Sequence, residues 1–314
     1  MTSNVAVIIR SVGERTEALC RHLVEQQVPP EHVVVIHERP FSKAVQRSFE
    51  IGLDYGLDWT LCVDADVLLR RDGIRMLIEA ASKLPESTFA FSGSILDKLL
   101  GHIRPGGGHL YRTRHCRKAL VFIEESSAQI RPESYVKVKM RQIGHPDVID
   151  DQIVIGIHDF EQYFIDIYRK AITHAHKWAD RMTSYVSQMW IRQSDADQDF
   201  RVALWGYRIG ELFEGKVSIN RDMFPDEINT LLKLSNMKEK PPLTDSTWNS
   251  QLPESTIDQY SPPPEFEDWK RIKALRKRKL GQFRSEIAYL GVWRFLPWKL
   301  GQNLQSLGAK LQQW

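Results

Sequence analysis

The stretch Trp59-Thr-Leu-Cys-Val-Asp-Ala-Asp-Val-Leu-Leu-Arg70 is a short apolar run that ends in two carboxylates separated by one residue. The run predicts a buried strand that carries Asp64 and Asp66 to its carboxyl-terminal edge. In an open α/β sheet ligands bind beyond that edge. Side chains alternate along a strand, so the spacing predicts Asp64 and Asp66 on one side, with Ala65 turned away. Two hard oxygen donors on one side suit a divalent metal that also grips a diphosphate. The plainer alternative for the triplet is a solvated strand-to-loop turn.

Before this stretch the pattern repeats. Val5-Ala-Val-Ile-Ile9 is a continuous apolar run followed by Arg10-Ser-Val-Gly13, and residues 14–27 keep Ala18, Leu19, Leu23 and Val24 at helical spacing. Val33-Val-Val-Ile36 leads into His37-Glu38-Arg39-Pro40, and a helix is expected from about Ser42 to Tyr55. After it come an expected helix from about Asp72 to Leu84 and a strand at Thr88 to Ser92. Apolar strands alternating with helices predict an α/β fold, with a mostly parallel sheet covered on both faces.

Beyond Ser92 the alternation weakens. Gly106-Gly-Gly108 precedes a strand and allows either a close backbone approach to a ligand or a mobile turn. Cys116 to Glu124 reads as helix, residues 135–140 fit no single pattern, and Ile153-Val-Ile-Gly-Ile157 reads as the last strand. Residues 159–215 look helical, with Phe164, Ile167, Tyr168, Ile172, Trp178, Met182 and Tyr185 as a packing stripe. Pro241-Pro242, Pro253 and Pro262-Pro-Pro264 give residues 238–269 a linker composition.

With 314 residues, 42 % of them hydrophobic and 26 % charged, the chain can bury a full core and reads as soluble and globular. Neither a secretory leader nor a membrane span is indicated. Cys20, Cys62 and Cys116 fit no metal-ligand spacing and are expected to stay reduced, in a cytoplasmic setting. The net charge of +3 hides an asymmetry, because residues 270–314 hold eleven Lys/Arg and one acid, Glu286. Lys270 to Lys279 has seven of them, and Leu300, Leu304, Leu307, Leu311 and Trp314 then recur at helical spacing. A basic cluster before an amphipathic, tryptophan-bearing segment predicts attachment to an anionic membrane surface, peripheral and on its inner face. The cluster lacks interleaved aromatic platforms, so no nucleic acid is expected as partner.

The order of strand, loop, helix, second strand ending near an acid, and Asp-x-Asp strand resembles the GT-A nucleotide-sugar glycosyltransferases, especially family-two-like members, over residues 4–170. The resemblance implies a Rossmann-like GT-A core that moves a sugar from a nucleotide-sugar donor to a glycan or lipid-linked acceptor, in surface glycan or glycolipid assembly. It implies that Arg10 to Glu14 and Glu38 cradle the nucleotide, with Lys43 and Arg47, one helical turn apart, as phosphate or nucleotide contacts. Asp64 falls near ribose and metal and Asp66 on the metal, which would be Mn²⁺ or Mg²⁺. His158 would be the distant third ligand, opening a helix on which His158, Gln162, Ile165 and Arg169 share one side, with Arg169 reaching the diphosphate. His174 and His176 read as structural. Asp151 or Asp150 would be the catalytic base, with Asp97 behind them. The Gln-x-x-Arg-Trp signature of processive synthases is missing, and a retaining enzyme would need no such base, so the stereochemical course stays open.

The expected organisation is a catalytic core over 1–157, a helical acceptor-side subdomain over 158–237, a linker over 238–269 and the basic tail over 270–314. Two other readings stay open: a sugar-phosphate nucleotidyltransferase, whose glycine-rich first loop Arg10-Ser-Val-Gly-Glu-Arg15 does not supply, and a catalytically silent binding module.

Overall fold

A computed structural model describes residues 3–126, 131–177, 182–213 and 225–274. The chain opens with β1 (Val5–Arg10), α1 (Glu17–Glu25), β2 (Val33–Ile36), α2 (Phe41–Tyr55) and β3 (Trp59–Asp64). It turns at Ala65-Asp66 into β4 (Val67–Leu69), then α3 (Gly73–Ala81), β5 (Ala90–Asp97), β6 (His102–Pro105) and β7 (Gly108–Arg112). Helices α4 (Thr113–Leu120), α5 (Ile123–Ser126) and α6 (Pro132–Gln142) precede the long β8 (Asp147–His158). Then come α7 (Phe164–Lys177), α8 (Ser187–Gln193), α9 (Gln198–Leu212), α10 (Pro225–Leu234) and α11 (Leu252–Asp258).

Strand alternation sorts the core into layers. Val5, Val7 and Ile9 of β1 and Trp59, Leu61 and Val63 of β3 pack on Leu19, Leu23 and Val24 of α1 and on Ile74 and Leu77 of α3. Ala6 and Ile8 face the other way, onto Ala44 and Ile51 of α2, and Cys62 meets Val45, Phe49 and Cys116. Each fully buried aliphatic side chain here contributes about 1.5–3 kcal/mol. All three cysteines are buried and unpaired, as expected.

The strand order is β2-β1-β3-β7-β5-β8-β4, with β6 on β5. The α/β class and helices on both faces match the sequence reading, but the sheet is mixed. β1, β2, β3, β5 and β8 share one direction, while β4, β6 and β7 oppose it. The physical reason is local: β6 and β7 form a hairpin-like return from β5, and β4 doubles back after the Ala65-Asp66 turn. At the β6–β7 turn Gly106 and Gly107 have φ of 131° and 88°, and a Cβ on Gly107 would lie 2.2 Å from Ile95 Cγ2. These glycines therefore serve a tight turn packed on the sheet.

Other boundaries move. The strand expected at 88–92 runs on to Asp97, residues 135–140 lie within α6, and the 116–124 helix divides into α4 and α5. Residues 159–163 are a loop, so α7 starts at Phe164. Helices α7 and α9 cross closely at Gly206 and Gly210, where an added Cβ would meet Tyr168 O at 2.3 Å and Ala175 Cβ at 2.8 Å. The proline-rich stretch is packed: Leu243, Trp248, Leu252, Ile257 and Tyr260 lie against the main core.

The chain divides into two compact units at Pro263 and Pro264. In the second, residues 264–274 are helical, Phe266 stacks on Trp269 at 5.8 Å, and Lys270 and Lys273 sit over their rings. Residues 275–314, with most of the expected basic amphipathic tail, lie outside the described residues. Among the described residues no helix is long and apolar enough to cross a membrane.

Candidate metal centre

β3 ends at Asp64, so Asp66 stands in the following turn and strand alternation no longer governs it. The turn is braced from three sides: Ala65 N donates to Arg10 O at 2.9 Å, Thr16 Oγ1 donates to Ala65 O at 2.7 Å, and Asp159 N donates to Asp66 O at 3.3 Å. Gln162 Nε2 in turn donates to Thr16 Oγ1 at 3.0 Å. β4 then pairs with the end of β8, Val67 opposite His158, which brings the turn beside that histidine. His158 thus closes a strand; it does not open a helix, and the expected helical side shared with Gln162, Ile165 and Arg169 does not exist.

Asp66, His158 and Asp159 offer ligand atoms within 4.8 Å of one another. His158 Nε2 faces Asp66 Oδ2 at 3.6 Å, and its Nδ1 lies 3.0 Å from Asp97 Oδ2 and 3.0 Å from Asp159 Oδ2. Asp97 is fixed by Arg104 Nε, which donates at 2.6 Å, and by Leu100 N at 2.8 Å. Its role is therefore to orient the imidazole, as carboxylates do behind metal-binding histidines. Lys170 Nζ donates to Asp66 Oδ2 at 2.5 Å and also to Asp159 Oδ1.

Burial works against ionisation of Asp66, but Lys170 and His158 override it and hold the carboxyl well below its usual range. Burial likewise disfavours a charged His158, and Asp159 and Asp66 reverse this, raising it well above 6.5. One feature points to a cation: Asp66 Oδ1 is buried without a hydrogen-bond partner. Two carboxylates and an imidazole backed by a carboxylate fit Mn²⁺ or Mg²⁺.

Asp64 does not join this group. Its Oδ1 accepts from Arg10 Nε at 2.8 Å, while its side chain stays 44 % exposed at the sheet edge. Arg10 Nη1 also donates to Glu133 Oε1 at 3.0 Å, and Arg10 lies over the Phe41 ring. Tyr111 OH donates to the same Glu133 oxygen at 2.6 Å, and His109 Nε2 lies 3.2 Å from Glu133 Oε2. Lys137 Nζ and Ser92 Oγ reach His109 Nδ1 at 2.8 and 2.6 Å. Burial opposes a charged Glu133, yet Arg10, His109, Lys137 and the Tyr111 hydrogen bond together outweigh it and lower the carboxyl's range.

The other expected site residues are scattered. Glu14 Oε2 accepts from Val12 N at 2.7 Å and Ser11 Oγ at 2.8 Å, so it shapes the first βα loop. Glu38 is exposed beyond β2. Lys43 and Arg47 lie on the exposed side of α2, next to Gln46 and Glu50. Arg169 is buried on α7, 3.5 Å from Asp166, and Arg15 ties Glu161 and Pro241 to the first loop. Asp150 and Asp151 interact with Gln152 in an irregular part of β8 between the pairs Ser92–Ile149 and Ser94–Val154. Val154 to His158 spans four more strand residues, about 13 Å, so neither acid is brought to the metal group.

Asp159, Lys170 and Glu133 were not legible as site residues. Asp159 had one available signal, its adjacency to His158 just after an apolar strand. Lys170 and Glu133 had none, because each reaches its partners only through helix placement.

No protein-family description matches the chain, and no curated protein matches it in sequence. Solved structures do. A glycosyltransferase involved in glycosylation of the major capsid of PBCV-1 is 11 % identical, over 50 % of this chain and 94 % of that one, with TM-score 0.34. A mannosyltransferase from Pyrobaculum calidifontis, in complex with GDP-Man and Mn²⁺, is 12 % identical over 75 % and 81 %, with TM-score 0.38. A mannose-1-phosphate geranyltransferase from Thermus thermophilus is 13 % identical over 49 % and 71 %, with TM-score 0.30. The likeness is loose, and the reading of the site rests on its own geometry.

Proposed function

We propose that the chain is a metal-dependent glycosyltransferase that takes its sugar from a nucleotide-sugar donor. The observation that carries this reading is the convergence of Asp66, His158 and Asp159 at the carboxyl edge of the sheet, with Asp66 Oδ1 buried and unpartnered. When bound, a Mn²⁺ or Mg²⁺ ion there would neutralise charge on a leaving diphosphate. Asp66, His158 and Asp159 would hold it. Asp97 and Arg104 would keep the imidazole aimed, and the exposed Asp64 carboxylate would meet the ribose. Residues 1–157 would form the GT-A core and 158–237 the acceptor side.

A panel of UDP- and GDP-sugars tested by thermal shift, with and without Mn²⁺, decides the reading. At least one should raise Tm by several degrees only when Mn²⁺ is present, because ligands that bind the folded state stabilise it by mass action. No shift with any donor would sink it. Release of nucleoside diphosphate then separates a transferase from a silent module.

The tail over 270–314 would bring this site to a lipid-linked acceptor on an anionic surface. Full-length protein should co-sediment with anionic vesicles and a chain lacking residues 270–314 should not. Equal sedimentation of the two rejects the tail's role.

A further inference from the structure

Lys170 projects from α7 between Asp66 and Asp159 and donates to one oxygen of each. These are two of the three side chains that would hold the cation, so an ammonium group and a divalent ion answer the same carboxylates. Both cannot be satisfied there at once, because like charges at that separation repel strongly in a partly buried site. Asp66 Oδ1 takes no hydrogen bond, which leaves a buried lone pair beside the bridge. The lysine stem is long and flexible and its side chain is 18 % exposed, so the ammonium can leave without unfolding α7.

Resting on the function proposed above, we infer that Lys170 is an internal counter-ion that occupies the metal position in the free protein and passes to the donor's diphosphate when the cation enters. Cation and nucleoside diphosphate then bind cooperatively, since the diphosphate gives the displaced ammonium a new partner and each ligand strengthens the other by the same factor.

The test uses the full chain, with Mn²⁺ binding followed by electron paramagnetic resonance and nucleoside diphosphate binding by calorimetry. Lys170→Met should bind Mn²⁺ alone about tenfold tighter than the wild type, and should bind the diphosphate at saturating Mn²⁺ about tenfold more weakly. If the Met variant does not fold, Lys170→Gln, which still offers hydrogen bonds to both carboxylates, carries the same expectation. Lys170→Arg keeps the charge and should hold Mn²⁺ no tighter than the wild type. Wild type that binds Mn²⁺, with an uncharged variant that binds it no tighter, overturns the inference and leaves the metal reading standing. An Arg variant that gains affinity as the Met variant does also overturns it. Absence of Mn²⁺ binding in every form, with and without nucleoside diphosphate, removes the metal reading and this inference together.

Discussion

Glu133 shares its two oxygens among Arg10, Tyr111 and His109 at 2.6–3.2 Å, whereas Asp66, at the same edge of the sheet, keeps one buried oxygen with no partner. Both clusters gather opposite charges under the surface, and in both a carboxyl is held below its ordinary range against the cost of burial. Burial and displaced titration therefore do not tell them apart. The difference lies in satisfaction: the Glu133 cluster closes on itself, and the Asp66 cluster leaves a buried carboxylate oxygen without a hydrogen bond.

The largest expected effect breaks the comparison at Asp66. Asp66→Asn should lower Mn²⁺-dependent nucleotide affinity about a thousandfold, or ~4 kcal/mol, with the fold retained. Calorimetry showing wild-type affinity for this variant would erase the distinction between the clusters. Glu133→Ala should act on stability: stranding Arg10 and Tyr111 should cost about 3 kcal/mol in denaturant unfolding, with Mn²⁺ affinity unchanged. A stable Glu133→Ala protein that has lost its metal would reverse the two roles.

The smallest effect sharpens the contrast through pH. Burial pushes the His109 imidazole down to about 3, outweighing the pull of Glu133, so the ring is neutral in the fold, accepting at Nδ1 from Ser92 and Lys137. In the unfolded chain it takes a proton below its ordinary 6.5, so stability falls as the pH drops from 6.5 toward 3. His109→Gln should flatten that slope by about 1.4 kcal/mol per pH unit at most. Parallel stability curves for variant and wild type would show that the ring is not excluded from charging.

The part of the fold legible in the sequence is the part built from continuous apolar runs. β1, β2 and β3 and helix α2 fall within a residue or so of where the runs Val5 to Ile9, Val33 to Ile36 and the one opening at Trp59, and the helical pattern from about Ser42 to Tyr55, place them. The mixed sheet was not legible, because the direction of β7 and β4 depends on which neighbour they pair with, and periodicity carries no direction. At the site, Asp66 and His158 were readable from their places after apolar strands. The expectation that Asp64 and Asp66 share one side extends alternation beyond the end of β3, which closes at Asp64. The strand read at Ile153 to Ile157 begins at Asp147, which puts Asp150 and Asp151 inside it, not in a loop ahead of it.

The irregular stretch of β8 has a consequence for chain length. Between the pairs Ser92–Ile149 and Ser94–Val154 the partner advances two residues while β8 advances five. Residues 150–153 thus work as slack, taking up added or missing residues before the strand settles into register. A second, one-residue shift follows at Ile155, and from Gly156 onward there is none: a Cβ on Gly156 would lie 2.3 Å from Leu68 O, and His158 is paired opposite Val67. A one-residue insertion at 151 can be absorbed, whereas the same insertion at 156 turns the imidazole to the other face of the sheet.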